Sequence, residues 1–212
     1  MAELRDYDDW HRQYDDPDSG ISWRLRMVQS WIRRALDERS GPFKVISACA
    51  GDARDLLGVL AERDDAGRVD ATLIEIDDTI ASRAEQAAAR LGLDGVRVRR
   101  QDAGRTESYT DVAAADLVLL VGIFGNISDA DIARTIAWSP ALCAPGAMLL
   151  WSRGRDDGDL NPQIRSWFGE AGFAEVDYAE RDSGSLPALG AMRFGGSTPP
   201  IVRGGRLFTF IR

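Results

Sequence analysis

The chain is poor in the residues that announce metal, disulfide or membrane chemistry. Its 212 residues hold two cysteines and a single histidine. Cys49 and Cys143 lack the close spacing of a metal site, so no metal is expected, and two isolated thiols suit a reduced, cytoplasmic setting. No apolar run reaches the roughly 18 residues that mark a spanning helix. The N-terminal stretch, Met-Ala-Glu-Leu-Arg-Asp-Tyr, has no apolar core of the signal-peptide kind. Repeats and low-complexity tracts are missing too. Positive charge is in deficit, with 26 Lys and Arg against 34 Asp and Glu, a net charge of −8. A surface of that sign repels polyanions, so no nucleic-acid partner is expected, and the lack of a long apolar run means that no membrane is expected either.

What remains is a globular composition. Hydrophobic residues make up 44% of the chain, enough for a core, and the length suits one compact α/β domain. The most informative stretch is Phe43 to Leu57. Phe43–Ala48 is a short apolar run of the kind that forms a buried parallel strand. Cys49, Ala50, Gly51 and Ala53 are all small, so the chain can turn sharply and a ligand can approach its backbone. Asp52 is then placed to cap a helix carrying Leu56, Leu57 and Leu60. Strand, small-residue turn, helix is how an α/β protein builds a ligand site, with the first helical amides facing it.

The rest of the chain repeats the strand–helix alternation. Val69–Ile76, Val96–Arg100, Asp116–Val121, Ala147–Trp151, Phe173–Tyr178 and Arg206–Ile211 read as further strands. Helical spacing appears at Ile21, Leu25, Val28, Ile32 and Leu36, with Trp23 and Trp31 off that stripe. Further helices carry Ile80 to Leu91, Ile132 and Ile136, and Ile164 to Ala171, the last capped by Asn161 with Pro162 at its first position. The second strand ends in Glu75-Ile76-Asp77 and the third in Gln101-Asp102-Ala103. A strand-end carboxylate can accept from both hydroxyls of a ribose, and Glu75 lies one strand-helix-strand unit beyond Gly51. Asp77 or Asp78 is the natural cap of the next helix.

Residues 47–55 resemble motif I of the class I S-adenosylmethionine (SAM) dependent methyltransferases, which runs acid-x-Gly-x-Gly-x-Gly, often followed by Arg-Asp. Ser47, Cys49, Gly51 and Ala53 stand at those places, then Arg54-Asp55. Only the central glycine is kept, and Ser47 replaces the acid. The resemblance extends over residues 43–212 through Glu75, Asp102, the loop after the fourth strand and the Pro145-Gly146 turn. It implies a Rossmann-like, doubly wound seven-stranded sheet, its last strand antiparallel, with helices on both faces. Residues 1–42 are then an N-terminal helical lid, or a helix that only packs on the sheet, and 43–212 the SAM-binding domain.

The resemblance also assigns roles. SAM, or its product S-adenosylhomocysteine, is expected to lie over Ala48, Cys49, Ala50, Gly51, Arg54 and Asp55. Its ribose goes to Glu75 beside Ile76, its adenine to Asp102 and Ala103, and its methyl to Val121-Gly122. The acceptor is expected near Trp10, Tyr14, Ile123, Phe124, Arg153 and Arg193, the last from a Gly/Ser/Pro-rich segment, 182–205, that otherwise reads as a surface loop. Asn126 either orients the acceptor or, like Ser128, caps a helix. His11 is either a general base or a surface residue. The expected activity is methyl transfer to a small molecule by a monomer or homodimer. Two rivals remain: a non-enzymatic SAM-binding protein, and a nicotinamide oxidoreductase, whose Gly-x-Gly-x-x-Gly fingerprint Cys49–Arg54 does not supply.

Overall fold

The computed structural model describes residue 14 and residues 16–112, 114–156, 158–182 and 187–211. Helix α1 (Gly20–Asp37) is capped by Ser19, whose hydroxyl accepts from the Ser22 amide at 3.1 Å. There follow β1 (Phe43–Ala48), α2 (Arg54–Leu60), β2 (Val69–Ile74), α3 (Asp78–Arg90), β3 (Val96–Arg99), β4 (Ala115–Leu120) and α4 (Asp129–Trp138). The chain closes with β5 (Cys143–Gly154), α5 (Asn161–Glu170), β6 (Phe173–Glu180) and β7 (Pro187–Phe194).

The strands form one seven-stranded sheet in the order β3-β2-β1-β4-β5-β7-β6. β1 pairs in parallel with β2 and β4, and β7 runs antiparallel between β5 and β6. Successive side chains leave a strand on opposite faces, so each strand feeds two cores. Val45, Leu73, Leu117, Leu150 and Leu189 meet Val28, Ile32, Leu36, Leu56 and Leu60 of α1 and α2. Ile46, Ile74, Val118, Leu149 and Trp151 meet Ile132, Ile136, Ile164 and Phe168 of α4 and α5 on the other face. Burial on both faces is why β1, β2, β4 and β5 read as continuous apolar runs.

The structure corrects the expected seventh strand. Arg206–Ile211 is not a strand; only a single bridge joins Arg206 to Arg105. β7 comes instead from the segment expected to be a loop. Its Pro-Ala-Leu-Gly-Ala-Met-Arg-Phe has no alternation because its centre is buried on both faces. Gly190 is required there, since a Cβ on it would collide with the Trp151 indole on the neighbouring strand.

Two helix starts are corrected as well. Ala53, in a left-handed conformation, precedes α2, while Asp52 turns to the Arg54 guanidinium at 2.9 Å. Leu160 rather than Asn161 precedes α5, and Asn161 is fully buried as its first residue. Trp31, expected off the apolar stripe of α1, is buried against the sheet at 4% exposure.

Candidate active site

The sheet reverses its winding between β1 and β4, and such a switch point opens a crevice at the carboxyl ends of the strands. The turn leaving β1 is built for that crevice. Cys49, Gly51 and Ala53 all take left-handed conformations, with φ of 51°, 60° and 56°. These are the three glycine positions of the motif. Left-handed geometry costs an L-residue about 1–2 kcal/mol, and the smallness of Cys49 and Ala53 keeps that strain tolerable. The turn is pinned by Ala50 N donating to the Ile74 carbonyl and Ala53 N to that of Ala50, both at 3.0 Å.

Glu75 completes the turn from the next strand. Its carboxylate accepts from the Gly51 amide at 2.9 Å and the Asp77 amide at 3.0 Å, and it is 9% exposed. Asp77 caps α3 as expected, accepting from Thr79 N and Ile80 N at 2.9 Å each. Asp102, after β3, accepts from the Gly104 amide at 2.8 Å and the Arg206 guanidinium at 2.6 Å. Burial, then the negative charges of Glu75 and Asp102, hold the Cys49 thiol far above its ordinary range. Cys49 lines the site, its thiol favoured in the neutral form.

A cavity of about 710 Å³ covers these strand ends. Cys49, Ala50, Gly51, Arg54, Asp55, Glu75, Ile76, Asp102, Ala103, Val121 and Gly122 all line it, as does Ser47. Ala48 alone of the expected cofactor residues does not, because its side chain points into the core beneath. Tyr14 lines the cavity, its ring 4.0 Å from the Arg54 guanidinium carbon. Burial raises the Tyr14 phenol above its usual range, against the opposing pull of Arg24 and Arg54.

The other expected acceptor residues lie elsewhere. Gly122 turns at φ 80° and sends Ile123 and Phe124 into the core, both at 0% exposure, where Phe124 packs on Trp151 and Phe168. Asn126 ties that turn back through Nδ2 to the Gly122 carbonyl at 2.8 Å, while Ser128 caps α4. Arg153 braces the turn from below, donating to the Phe124 carbonyl at 2.9 Å. Arg193 faces the far end of the sheet, paired with Glu38 and donating to the Gly146 carbonyl at 3.1 Å. Trp10 and His11 lie outside the described residues.

Two parts of the wall were not singled out from the sequence. Arg24 lines the cavity from α1, beside Leu25 and Val28 of that helix's apolar stripe. Arg206, Phe208, Thr209 and Phe210 form a strap across the Asp102 side. The strap is fastened by Leu207 N to the Gly104 carbonyl at 2.7 Å and Thr106 N to the Gly205 carbonyl at 3.1 Å. It lies so close that a Cβ on Gly104 would strike the Phe208 carbonyl. The opposite charges of Asp102 and Arg206 were the one available signal.

The fold is that of the class I SAM-dependent methyltransferases. Magnesium protoporphyrin IX methyltransferase (ChlM) from Synechocystis PCC 6803, solved with bound SAM, aligns with a TM-score of 0.68 at 15% identity, covering 89% of this chain and 91% of that one. The 1,6-didemethyltoxoflavin-N1-methyltransferase of Burkholderia thailandensis, solved with bound 1,6-didemethyltoxoflavin and S-adenosylhomocysteine, aligns with a TM-score of 0.63 at 17% identity, covering 90% and 87%. A Clostridium thermocellum chain provisionally assigned as an rRNA-methylase aligns with a TM-score of 0.59 at 12% identity, covering 85% and 98%. At these identities the likeness is one of fold. No protein-family model matches the sequence, and no curated protein matches it either.

Proposed function

We propose that the protein is a SAM-dependent methyltransferase acting on a small-molecule acceptor. The observation that carries this reading is the pair of strand-end carboxylates, Glu75 and Asp102, set on one cavity wall with a left-handed, small-residue turn between them and β4. The donor set fits SAM. Glu75 offers lone pairs to two ribose hydroxyls beyond the two amides it already holds. Ile76, Ala103 and Phe208 supply apolar surface for a purine, and Asp102 an acceptor at its edge. Bound there, the cofactor supplies an already electrophilic methyl. The chain's part is then to align the acceptor, exclude water and hold charge, which α1 and the strap do by walling the cavity from two sides. The α1 side, with Tyr14, is the natural lid.

The acceptor reading rests on chemistry of the surface. A net charge of −8 disfavours a polyanion, and the aromatic, apolar lining of the strap suits a small organic molecule. Two unpaired thiols fit a cytoplasmic protein. Among the described residues, no helix is long and apolar enough to cross a membrane. The assembly we expect is a monomer or homodimer.

Calorimetry with S-adenosylhomocysteine and NADH tests the cofactor: the first should bind and the second should not. Incubation with methyl-labelled SAM and separate pools of cell metabolites, RNA and protein tests the acceptor. Label in RNA or protein alone refutes the small-molecule reading, and label in none points to a non-enzymatic SAM-binding protein.

A further inference from the structure

The sheet is complete at β7, yet the chain goes on and returns to the opposite half of the sheet, where Arg206 bridges to Arg105. The first half of the strap belongs to the Asp102 wall. Arg206 pairs with Asp102, Leu207 N–H holds the Gly104 carbonyl, and Leu207 and Phe208 are buried. The second half belongs to the β4 side. Thr209 N–H donates to the Asp131 carboxylate of α4 at 3.2 Å, and Ile211 N–H to the Asn126 carbonyl at 2.9 Å. Asn126 in turn donates through Nδ2 to the Gly122 carbonyl. Phe210 stands between those two anchors and lines the cavity that Gly122 also lines. The strap therefore carries the chain from the adenine wall to the end assigned to the methyl group.

Phe210 has no task in holding the cofactor. Glu75 takes the ribose, Asp102 the purine edge, and Ile76, Ala103 and Phe208 the purine face. The Phe210 ring is only half-buried, although its neighbours on either side are tethered and cannot let it fold away. Its centroid lies 5.7 Å from that of Phe208, the planes tilted by 53°, an attractive arrangement for two rings. Phe208 is sealed in the core and Phe210 is not, so the pair ends in a ring with surface left for a third.

We propose that Phe210 is the platform for the methyl acceptor, stacking a planar ring beside Gly122, and that the substrate class is an aromatic or heteroaromatic small molecule. A fixed aromatic platform gives contact area at little entropic cost and sets the plane of its guest. Stacking leaves the guest free to turn within that plane. The Thr209 hydroxyl, on the same stretch of cavity wall, can hydrogen-bond a ring substituent and stop that rotation. The acceptor atom at the ring's edge is then held in line with the methyl.

The platform rests on the SAM reading, and one experiment separates the two. Protein saturated with S-adenosylhomocysteine is titrated, by ligand-observed NMR, with 2-naphthol and decahydro-2-naphthol and with benzoate and cyclohexanecarboxylate. The aromatic member of at least one pair should bind more tightly than its saturated counterpart. Phe210→Leu should weaken that aromatic ligand by about two- to tenfold and leave the saturated one unchanged. Phe210→Tyr, which keeps the ring, should retain the preference. Calorimetry should give both variants the wild-type affinity for SAM and for S-adenosylhomocysteine. The platform is overturned by a wild type with no aromatic preference, by a preference that survives Phe210→Leu, or by one lost in Phe210→Tyr as well. It is also overturned if Phe210→Leu weakens SAM alone, which would set the ring against the sulfonium, or weakens both cofactor forms, which would make it cofactor wall. Each of those results leaves the SAM reading standing. A wild type that binds no S-adenosylhomocysteine overturns both.

Discussion

Removing the Glu75 carboxylate should separate two roles that the structure gives one side chain. In Glu75→Ala the Gly51 and Asp77 amides lose a charged acceptor, each such bond being worth about 1.5–3 kcal/mol when its partner is left bare. Cavity water can replace part of that, so the loss of stability should be about 2 kcal/mol. For a chain of this length, that lowers the melting temperature by about 4–8 °C. Binding loses more. The ribose bonds vanish with the carboxylate, and the turn that presents Gly51 relaxes, so S-adenosylhomocysteine affinity should fall roughly tenfold to a hundredfold or further. The assay is calorimetry at a temperature well below the variant's own melt, beside a thermal scan with and without ligand. A variant that melts lower yet binds S-adenosylhomocysteine as tightly as the wild type would show Glu75 to be a turn anchor only. The ribose assignment would then fail.

Three further outcomes are expected. Gly104→Ala should displace the strap, because the added methyl meets the Phe208 carbonyl; a loss of about 1–3 kcal/mol in urea unfolding is expected, and an unchanged midpoint would mean the strap is loosely held. Phe124→Ala should cost about 3–5 kcal/mol of stability, as for any fully buried ring, while the folded fraction keeps its cofactor affinity; full stability with lost turnover would return Phe124 to the acceptor site. Arg193→Ala should change stability by less than about 1 kcal/mol and leave ligand binding alone, since its exposed pair with Glu38 lies at the far end of the sheet; a specific loss of turnover, measured on an identified acceptor, would contradict that placement.

The parts that were legible in the sequence share a physical cause. β1, β2 and β4 are buried on both faces, so their identity is written locally as apolar runs, and an acid just past such a run sits at the carboxyl end of the sheet. Glu75 was readable for that reason, and Asp102 from the alternation of apolar and basic residues that marks β3 as an edge strand. The parts that were not readable depend on partners distant in sequence. β7 is eight residues hidden among Gly, Ser and Pro, and its glycine makes sense only beside Trp151. Arg206–Ile211 reads like a strand but pairs with the sheet nowhere: Leu207 and Phe208 are buried, while Arg206, Phe208, Thr209 and Phe210 line the cavity. Whether Ile123 and Phe124 look into the cavity or the core turns on the φ of Gly122, which composition does not reveal. Arg24 sits on the polar face of α1, and periodicity treats such a face as solvent-exposed.

The left-handed turn has a consequence for how this chain can vary. Its three alternate positions are defined by backbone sign, and residue identity is secondary, so glycine-based patterns overlook a site that is geometrically intact. Cysteine and alanine codons each lie one nucleotide from a glycine codon. Positions 49 and 53 can therefore drift to glycine and back with the turn unchanged, trading local strain for chain flexibility. Drift toward valine, isoleucine or threonine is closed, because a branched Cβ clashes in that conformation. The turn thus admits a short alphabet, and engineering that stays within it can alter the chemistry facing the cavity at Cys49 without rebuilding the loop that carries it.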